Sequence, residues 1–172
     1  SWRWTAAMKL LLSVILIFAL FFSGVEMISG APAVEALLKT LPRFEGWKME
    51  SPFSMPEDEF VTVGADYSRG DRSFQFMVIA GPEAPSAGPL PEELEEDRTA
   101  GSTETAEAWF SFFSLGGFPA VKVEMKDESG ATVWIDLESR GWLLLGGDGM
   151  KGDEIVKLLG KVNLKEFARL VR

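Results

Sequence analysis

Alternating apolar and polar residues predict that much of this chain forms antiparallel strands. Within residues 131–137, the apolar residues Val133, Ile135 and Leu137 occupy every second position, a period typical of a strand with one buried face. Residues 60–68 and 72–80 are rich in Phe, Val and Ile around a turn-like Ser68-Arg69-Gly70-Asp71, which predicts a hairpin. Further strands are predicted near Trp47 and Met49, over residues 106–115, from Val121 to Met125 and over residues 142–145.

Helical periodicity appears only near the two ends of this pattern. Val34, Leu37, Leu38 and Leu41 are spaced to form one apolar helix face, and Pro42 would stop that helix. Two more helices are predicted after residue 145. The last would begin with Asn163 as its N-cap, Glu166 three residues later, and Val162 and Phe167 as a hydrophobic staple.

These elements predict an α+β fold. We expect an antiparallel sheet of about six or seven strands, with the N-terminal and C-terminal helices packed on one face. Residues 81–101 interrupt the pattern with Pro, Gly, Ala and acidic residues, which predicts a long loop with one possible helical turn at residues 91–97. Residues 34–172 are therefore predicted to form a single domain.

The segment before this domain has the features of an export signal. An uncharged apolar stretch, residues 10–22, follows Lys9, and Ala31-Pro32-Ala33 provides an A-x-A cleavage site. We therefore interpret residues 1–33 as upstream residues plus a signal peptide, which predicts a periplasmic or extracellular protein. The alternative is that the segment stays uncleaved and anchors the protein in a membrane.

Composition removes many kinds of chemistry. The 172-residue chain has no histidine and no cysteine, which excludes imidazole catalysis, thiol nucleophiles, disulfides and ordinary zinc sites. Its 26 acidic and 17 basic residues give a net charge of −9, which disfavours nucleic acid as a partner. Any catalysis would have to use carboxylates, hydroxyls, Lys, Arg or backbone groups.

The glycine-rich segment after residue 145 is the clearest motif. Gly147, Gly149 and Gly152 form a literal G-x-G-x-x-G, but too little chain follows for a dinucleotide-binding unit, so we interpret it as a turn between a strand and a helix. The nearby Asp148, Asp153 and Glu154 are weak candidates for calcium ligands because they lack the spacing of a calcium loop. No cofactor is expected.

Surplus aromatic residues are the best candidates for a binding site. Along a strand over residues 106–115, Trp109 and Phe113 would share one side, and Phe110 and Phe112 the other. Both faces of that strand are therefore apolar, which is typical of a covered central strand but also of an apolar groove. The candidate binding residues are Trp109, Phe113, Phe118 and Trp134, the last as an exposed aromatic on a polar strand face.

Three short fragments are similar to known proteins. They are Leu41-Pro42 with Gly46-Trp47, Gly117-Phe118-Pro119-Ala120, and Arg140-Gly141-Trp142. The chain thereby resembles small exported bacterial domains of unknown function, and its layout is similar to the PsbP-like α/β sandwich. The resemblance implies an exported sandwich and assigns no functional residues.

The sequence favours a non-enzymatic binding domain that contacts a protein partner or an apolar small molecule through an aromatic sheet face. A small hydrolase using two carboxylates is the alternative, because glycoside hydrolysis needs no histidine. A membrane-tethered envelope subunit is the third possibility, and its contact with the membrane would come only from the uncleaved N-terminal segment.

Overall fold

The computed structural model describes residues 31–57, 59–82, 99–138 and 141–171, with side chains from residue 34 onward. The predicted signal peptide and the possible helical turn at residues 91–97 lie outside the described residues. In chain order the elements are α1 (Ala31–Thr40), β1 (Lys48–Pro56), β2 (Val61–Arg69), β3 (Arg72–Ala80), β4 (Ser102–Glu104), β5 (Ala108–Leu115), β6 (Phe118–Met125), β7 (Gly130–Asp136), β8 (Gly141–Asp148), α2 (Gly152–Leu159) and α3 (Leu164–Leu170).

All eight strands join one antiparallel sheet in the order β1-β2-β3-β8-β7-β6-β5-β4. The final strand, β8, therefore lies between β3 and β7 and joins two groups of sequential strands into one sheet. The α+β class is confirmed.

The expected strand count of six or seven was wrong, because β4 was not predicted. This strand has only three residues, Ser102–Glu104, and its polar side chains show no apolar period. It pairs with Trp109, Phe110 and Ser111 of β5. A strand this short is defined by its partner strand, which local sequence does not reveal.

The predicted hairpin is present as β2 and β3, which pair in continuous register from Val61 opposite Ala80 to Arg69 opposite Arg72. Near the turn of this hairpin, the Tyr67 hydroxyl donates a 2.6 Å hydrogen bond to the Pro42 carbonyl. The Phe44 ring packs edge-on against Tyr67 at 5.0 Å. These contacts fix the chain that leaves α1 against the sheet.

Buried side chains form two clusters. In the first cluster, residues from all three helices, including Leu37, Leu159 and Phe167, are buried together with sheet residues such as Phe76 and Val133. The second cluster contains sheet residues only, and its buried members are Met77, Ile79, Ala108, Phe110, Val121, Val123, Met125, Trp134, Trp142 and Leu144. Because neighbouring residues on a strand point to opposite faces, these clusters lie on opposite sides of the sheet.

Burial on the second side corrects one expectation. Trp134 was expected to be an exposed contact residue, but only 3% of it is exposed. Its neighbours across the strands are Val121 and Leu144, which are also buried. The β7 sequence alternates between apolar and more polar residues, as in a strand with one exposed face. In the structure, however, β7 makes apolar contacts on both faces.

The C-terminal helix begins where the sequence predicted. Asn163 Oδ1 accepts a 3.3 Å hydrogen bond from the Glu166 backbone N–H, which confirms the N-cap. The Glu166 carboxylate forms an ion pair with Arg169 at 2.6 Å. Among the described residues, no helix combines the length and apolar character needed to cross a membrane.

Candidate functional site

A cavity of about 320 Å³ lies at one end of the sheet, where β5 and β7 end and β6 and β8 begin. Three aromatic residues, three small apolar residues and one carboxylate line it. They are Phe112, Phe113, Trp142, Pro119, Ala120, Val121 and Asp136. The strand register explains this grouping, since Phe112 pairs with Val121, Phe113 with Ala120, and Asp136 with Trp142.

The lining residues differ in how far they are exposed to solvent. Pro119 is exposed, and Phe112, Phe113 and Asp136 are half-buried. Ala120, Val121 and Trp142 are 5–6% exposed. The cavity therefore has an accessible mouth and a floor made from the packed core of the sheet.

Asp136 is the only charged side chain among the described residues that line the cavity. Its Oδ1 accepts a 2.8 Å hydrogen bond from the Glu138 backbone N–H. Glu138 has φ +60°, and an aspartate that bonds the backbone two residues later is typical of a turn. The turn after β7 therefore holds the carboxylate at the cavity wall.

Trp134 supports the cavity from behind its floor. It is directly paired with Val121 in the strand register, and its ring meets the Trp142 ring edge-on, with centroids 6.1 Å apart and planes at 79°. Its buried indole N–H has no hydrogen-bond partner among the described residues. Trp134 therefore acts as packing for Trp142.

The four aromatic residues predicted from the sequence do not form one site. Phe113 is among the lining residues, but its side chain packs against the first cluster, and Trp134 lies behind the cavity in the second cluster, on the other side of the sheet. Phe118 packs against the first cluster near the β5–β6 turn. Trp109 lies toward the other end of β5, is 47% exposed and carries Lys126 at 5.6 Å from its ring.

Lys126 also bonds Glu104 at 2.7 Å, and this hydrogen bond lowers the pKa of Glu104. Trp109 thus belongs to a separate polar and aromatic cluster on the edge strands. It contributes nothing to the cavity lining.

Four lining residues that matter to the geometry were missed as site residues, namely Phe112, Val121, Asp136 and Trp142. Each was correctly placed in a predicted strand, but a strand period shows only which face a side chain takes. The cavity forms because four strand ends meet. The side-by-side pairing of β5, β6, β7 and β8 brings those ends together, and the pattern within any single strand does not encode it.

The three candidate metal ligands are not grouped. Asp153 bonds Lys122 at 3.1 Å, and Glu154 bonds Arg72 at 2.7 Å. The hydrogen bond from Arg72 lowers the pKa of Glu154, whereas burial raises the pKa of Asp148. The described part of the chain contains no group of three or more carboxylates that could hold a metal ion.

The glycine-rich motif connects β8 to α2, as predicted, although Gly147 and Asp148 still belong to the strand. The Gly152 N–H at the start of α2 donates a 3.2 Å hydrogen bond to Glu124 Oε1. A carboxylate from the same chain therefore occupies the place that a phosphate takes in a dinucleotide site.

The cavity offers little to a two-carboxylate hydrolase. Such enzymes need two carboxyl groups on either side of the scissile bond, and Asp136 is the one carboxylate among the described lining residues. The arrangement can bind an apolar group and place a single negative charge beside it.

Comparison of the chain with protein-family models, with curated proteins and with solved structures finds no match. The proposed function therefore rests on the architecture and the cavity alone.

Proposed function

We propose that this chain is an exported, non-enzymatic binding domain that accepts a small apolar group in the cavity between β5, β6, β7 and β8. In this proposal, the helices pack on one face of the sheet, as in the sandwich layout that the sequence resembles. The observation that carries the proposal is an accessible cavity lined by Phe112, Val121 and Trp142 at the end of that sheet.

The size of the cavity sets the size of its ligand. Ligand pockets in proteins commonly enclose about 300–1,000 Å³, and an apolar cavity of about 150 Å³ can hold benzene. At about 320 Å³, this cavity fits an aromatic or branched aliphatic group with a short extension. The group could belong to a free small molecule or to a side chain of a partner protein.

The lining also supports binding over catalysis. Apolar walls with one or a few placed polar groups are typical of ligand sites. The chain has no histidine or cysteine, and Asp136 stands alone as a charged group among the described lining residues. Binding requires no further chemistry.

Benzene provides a direct test with the full chain. A ligand that binds only the folded state stabilises it by about 2.7 kcal/mol at 100 times its Kd. We expect benzene to raise the Tm of the full chain in a concentration-dependent way. Val121→Phe, which puts a larger side chain on the cavity side of β6, should abolish the rise, and Trp109→Ala should preserve it.

Two results would refute the proposal. One is a wild-type Tm that does not respond to benzene. The other is a Val121→Phe variant that is folded by circular dichroism and still responds like the wild type.

Export needs its own test. N-terminal sequencing of the protein recovered from its host should find a start at Val34. A start within residues 1–33 would instead support the membrane-tethered alternative.

A further inference from the structure

We infer that the cavity is selective for an organic cation, specifically a quaternary or alkylated ammonium group, because it places two aromatic side chains on the same side of the sheet as a single carboxylate. This inference rests on the proposed function and deepens it by assigning a charge to the ligand. It concerns the juxtaposition of Phe112 and Trp142 with Asp136.

Aromatic rings favour a cation that has no N–H groups to satisfy. The faces of Phe and Trp rings are negative, and they attract a cation that lies within about 6 Å of the ring centroid. The other described lining residues on this side of the sheet are Pro119 and Val121. These residues contact methyl groups favourably but offer no side-chain acceptors, so a methylated ammonium suits this wall better than a free amine.

Asp136 supplies the charge that distinguishes a cation from a neutral apolar ligand. An ionised carboxylate has about four lone-pair positions, and the Glu138 N–H bonds one of its oxygens. Asp136 is half-buried, so its remaining lone pairs can face the cavity mouth. A bound cation would take the place of water beside them.

The described lysine side chains near the cavity form ion pairs outside it. Lys122 follows Val121 in β6 and therefore points to the opposite face, where it bonds Asp153 at 3.1 Å and Glu124 at 3.3 Å. Lys126 bonds Glu104. None of the described lining residues is basic, and the net charge of the chain, −9, attracts cations over longer range.

Choline and 3,3-dimethylbutan-1-ol form a matched pair of probes, because the second replaces the positive nitrogen of the first with carbon. Their Kd values for the full chain would be measured by isothermal titration calorimetry. We expect choline to bind about tenfold more tightly than the neutral alcohol, the ratio that a gain of roughly 1.4 kcal/mol produces.

Two isosteric variants separate the local carboxylate from the overall charge. Asp136→Asn removes the charge in the cavity and retains an oxygen that can accept the Glu138 N–H. Asp148→Asn removes one negative charge from the other end of β8, where Asp148 pairs with Gly130. We expect Asp136→Asn to eliminate the preference for choline and Asp148→Asn to leave it unchanged.

A second variant protects the test if Asp136→Asn does not fold. Phe112→Leu retains apolar volume but removes one ring from the side of the sheet that carries Asp136, so it should reduce the affinity for choline and leave the affinity for the alcohol nearly constant. Equal losses for the two probes would contradict the role assigned to the ring.

The possible outcomes separate this inference from the proposed function. Equal binding of the two probes, or a choline preference that survives Asp136→Asn, would overturn the inference while the benzene result still supports the apolar site. Failure of both probes while benzene binds would also overturn it. Failure of all three compounds would refute both proposals.

Discussion

Trp134 and Trp142 meet edge to face beneath the cavity, with ring centroids 6.1 Å apart and planes at 79°. One ring lines the cavity and the other is buried behind it. Edge-to-face pairs are favourable because the positive ring edge meets the negative ring face. The floor of the cavity is therefore part of the folded core, and its shape depends on residues that no ligand touches.

Truncation of Trp134 should destabilise the protein strongly. Removal of a fully buried tryptophan leaves a cavity and typically costs about 3–5 kcal/mol, so Trp134→Ala should lower the free energy of unfolding by that amount. Trp109→Ala is the matched control, because Trp109 is 47% exposed and should cost about 1 kcal/mol or less. Urea unfolding of both variants provides the comparison, and similar losses would contradict the assigned burial.

Two glycines should respond to alanine in opposite ways. A Cβ at Gly146 would lie 2.4 Å from Thr132 Oγ1 and 2.8 Å from the Ala131 carbonyl oxygen, so Gly146→Ala should destabilise the β7–β8 pair by more than about 1 kcal/mol. Gly160 has φ −61°, and a Cβ at this position would lie 3.5 Å from its nearest neighbours, which are two backbone carbonyl oxygens. Gly160→Ala should therefore be neutral or stabilise the protein by up to about 1 kcal/mol. Thermal unfolding distinguishes these effects, and a stable Gly146→Ala variant would contradict the close approach of these strands.

The N-cap of α3 should make a measurable contribution to stability. Asn163 Oδ1 accepts the Glu166 N–H, and loss of such a cap costs about 0.5–2 kcal/mol. Asn163→Ala should lower the free energy of unfolding within that range. Asn163→Asp retains the acceptor and adds a negative charge near the helix N-terminus, so it should match or exceed the wild type. Identical stability of all three proteins would show that the cap is unimportant.

Asp148 should make stability depend on pH. Partial burial raises its pKa in the folded protein, so its charged form is disfavoured by folding. Above that raised pKa the carboxylate destabilises the fold, and the penalty disappears as the pH falls through the folded pKa toward the unfolded value near 3.8. Because Asp148 is also exposed to solvent, which screens its charge, Asp148→Asn should be more stable than the wild type at pH 7 by less than about 1 kcal/mol and equal to it below both pKa values.

Asp153→Asn is the control for this pH dependence. The Asp153 side chain is 87% exposed, so its replacement should give no gain at pH 7. Urea unfolding across the pH range would measure both variants. An Asp148→Asn variant that gains nothing at pH 7 would contradict the effect of burial on this carboxylate.

The sequence predicted the local elements of this fold more fully than its site. The β2–β3 hairpin, the alternation in β7 and the Asn163 cap each depend on residues close together in the chain, so local patterns revealed them. The burial of Trp134 depends on Val121 and Leu144 in neighbouring strands. The three-residue β4 likewise depends on β5.

The cavity is the least local feature of all. Asp136 and Trp142 face each other because a short connection joins β7 to β8, whereas Phe112 and Val121 join them only through the order of four strands. The aromatic surplus indicated that a binding surface existed. It could not show that Trp109 and Phe113, four residues apart on one strand, lie in different environments.

The central claim is that the end of the sheet binds an apolar group, and an NMR titration of the ¹⁵N-labelled full chain with benzene tests it most directly. We expect saturable amide shifts that are largest at Phe112, Phe113, Ala120, Val121 and Trp142, with little change at the exposed Trp109. No saturable shifts, or shifts centred on Trp109 and the edge strands, would contradict the claim.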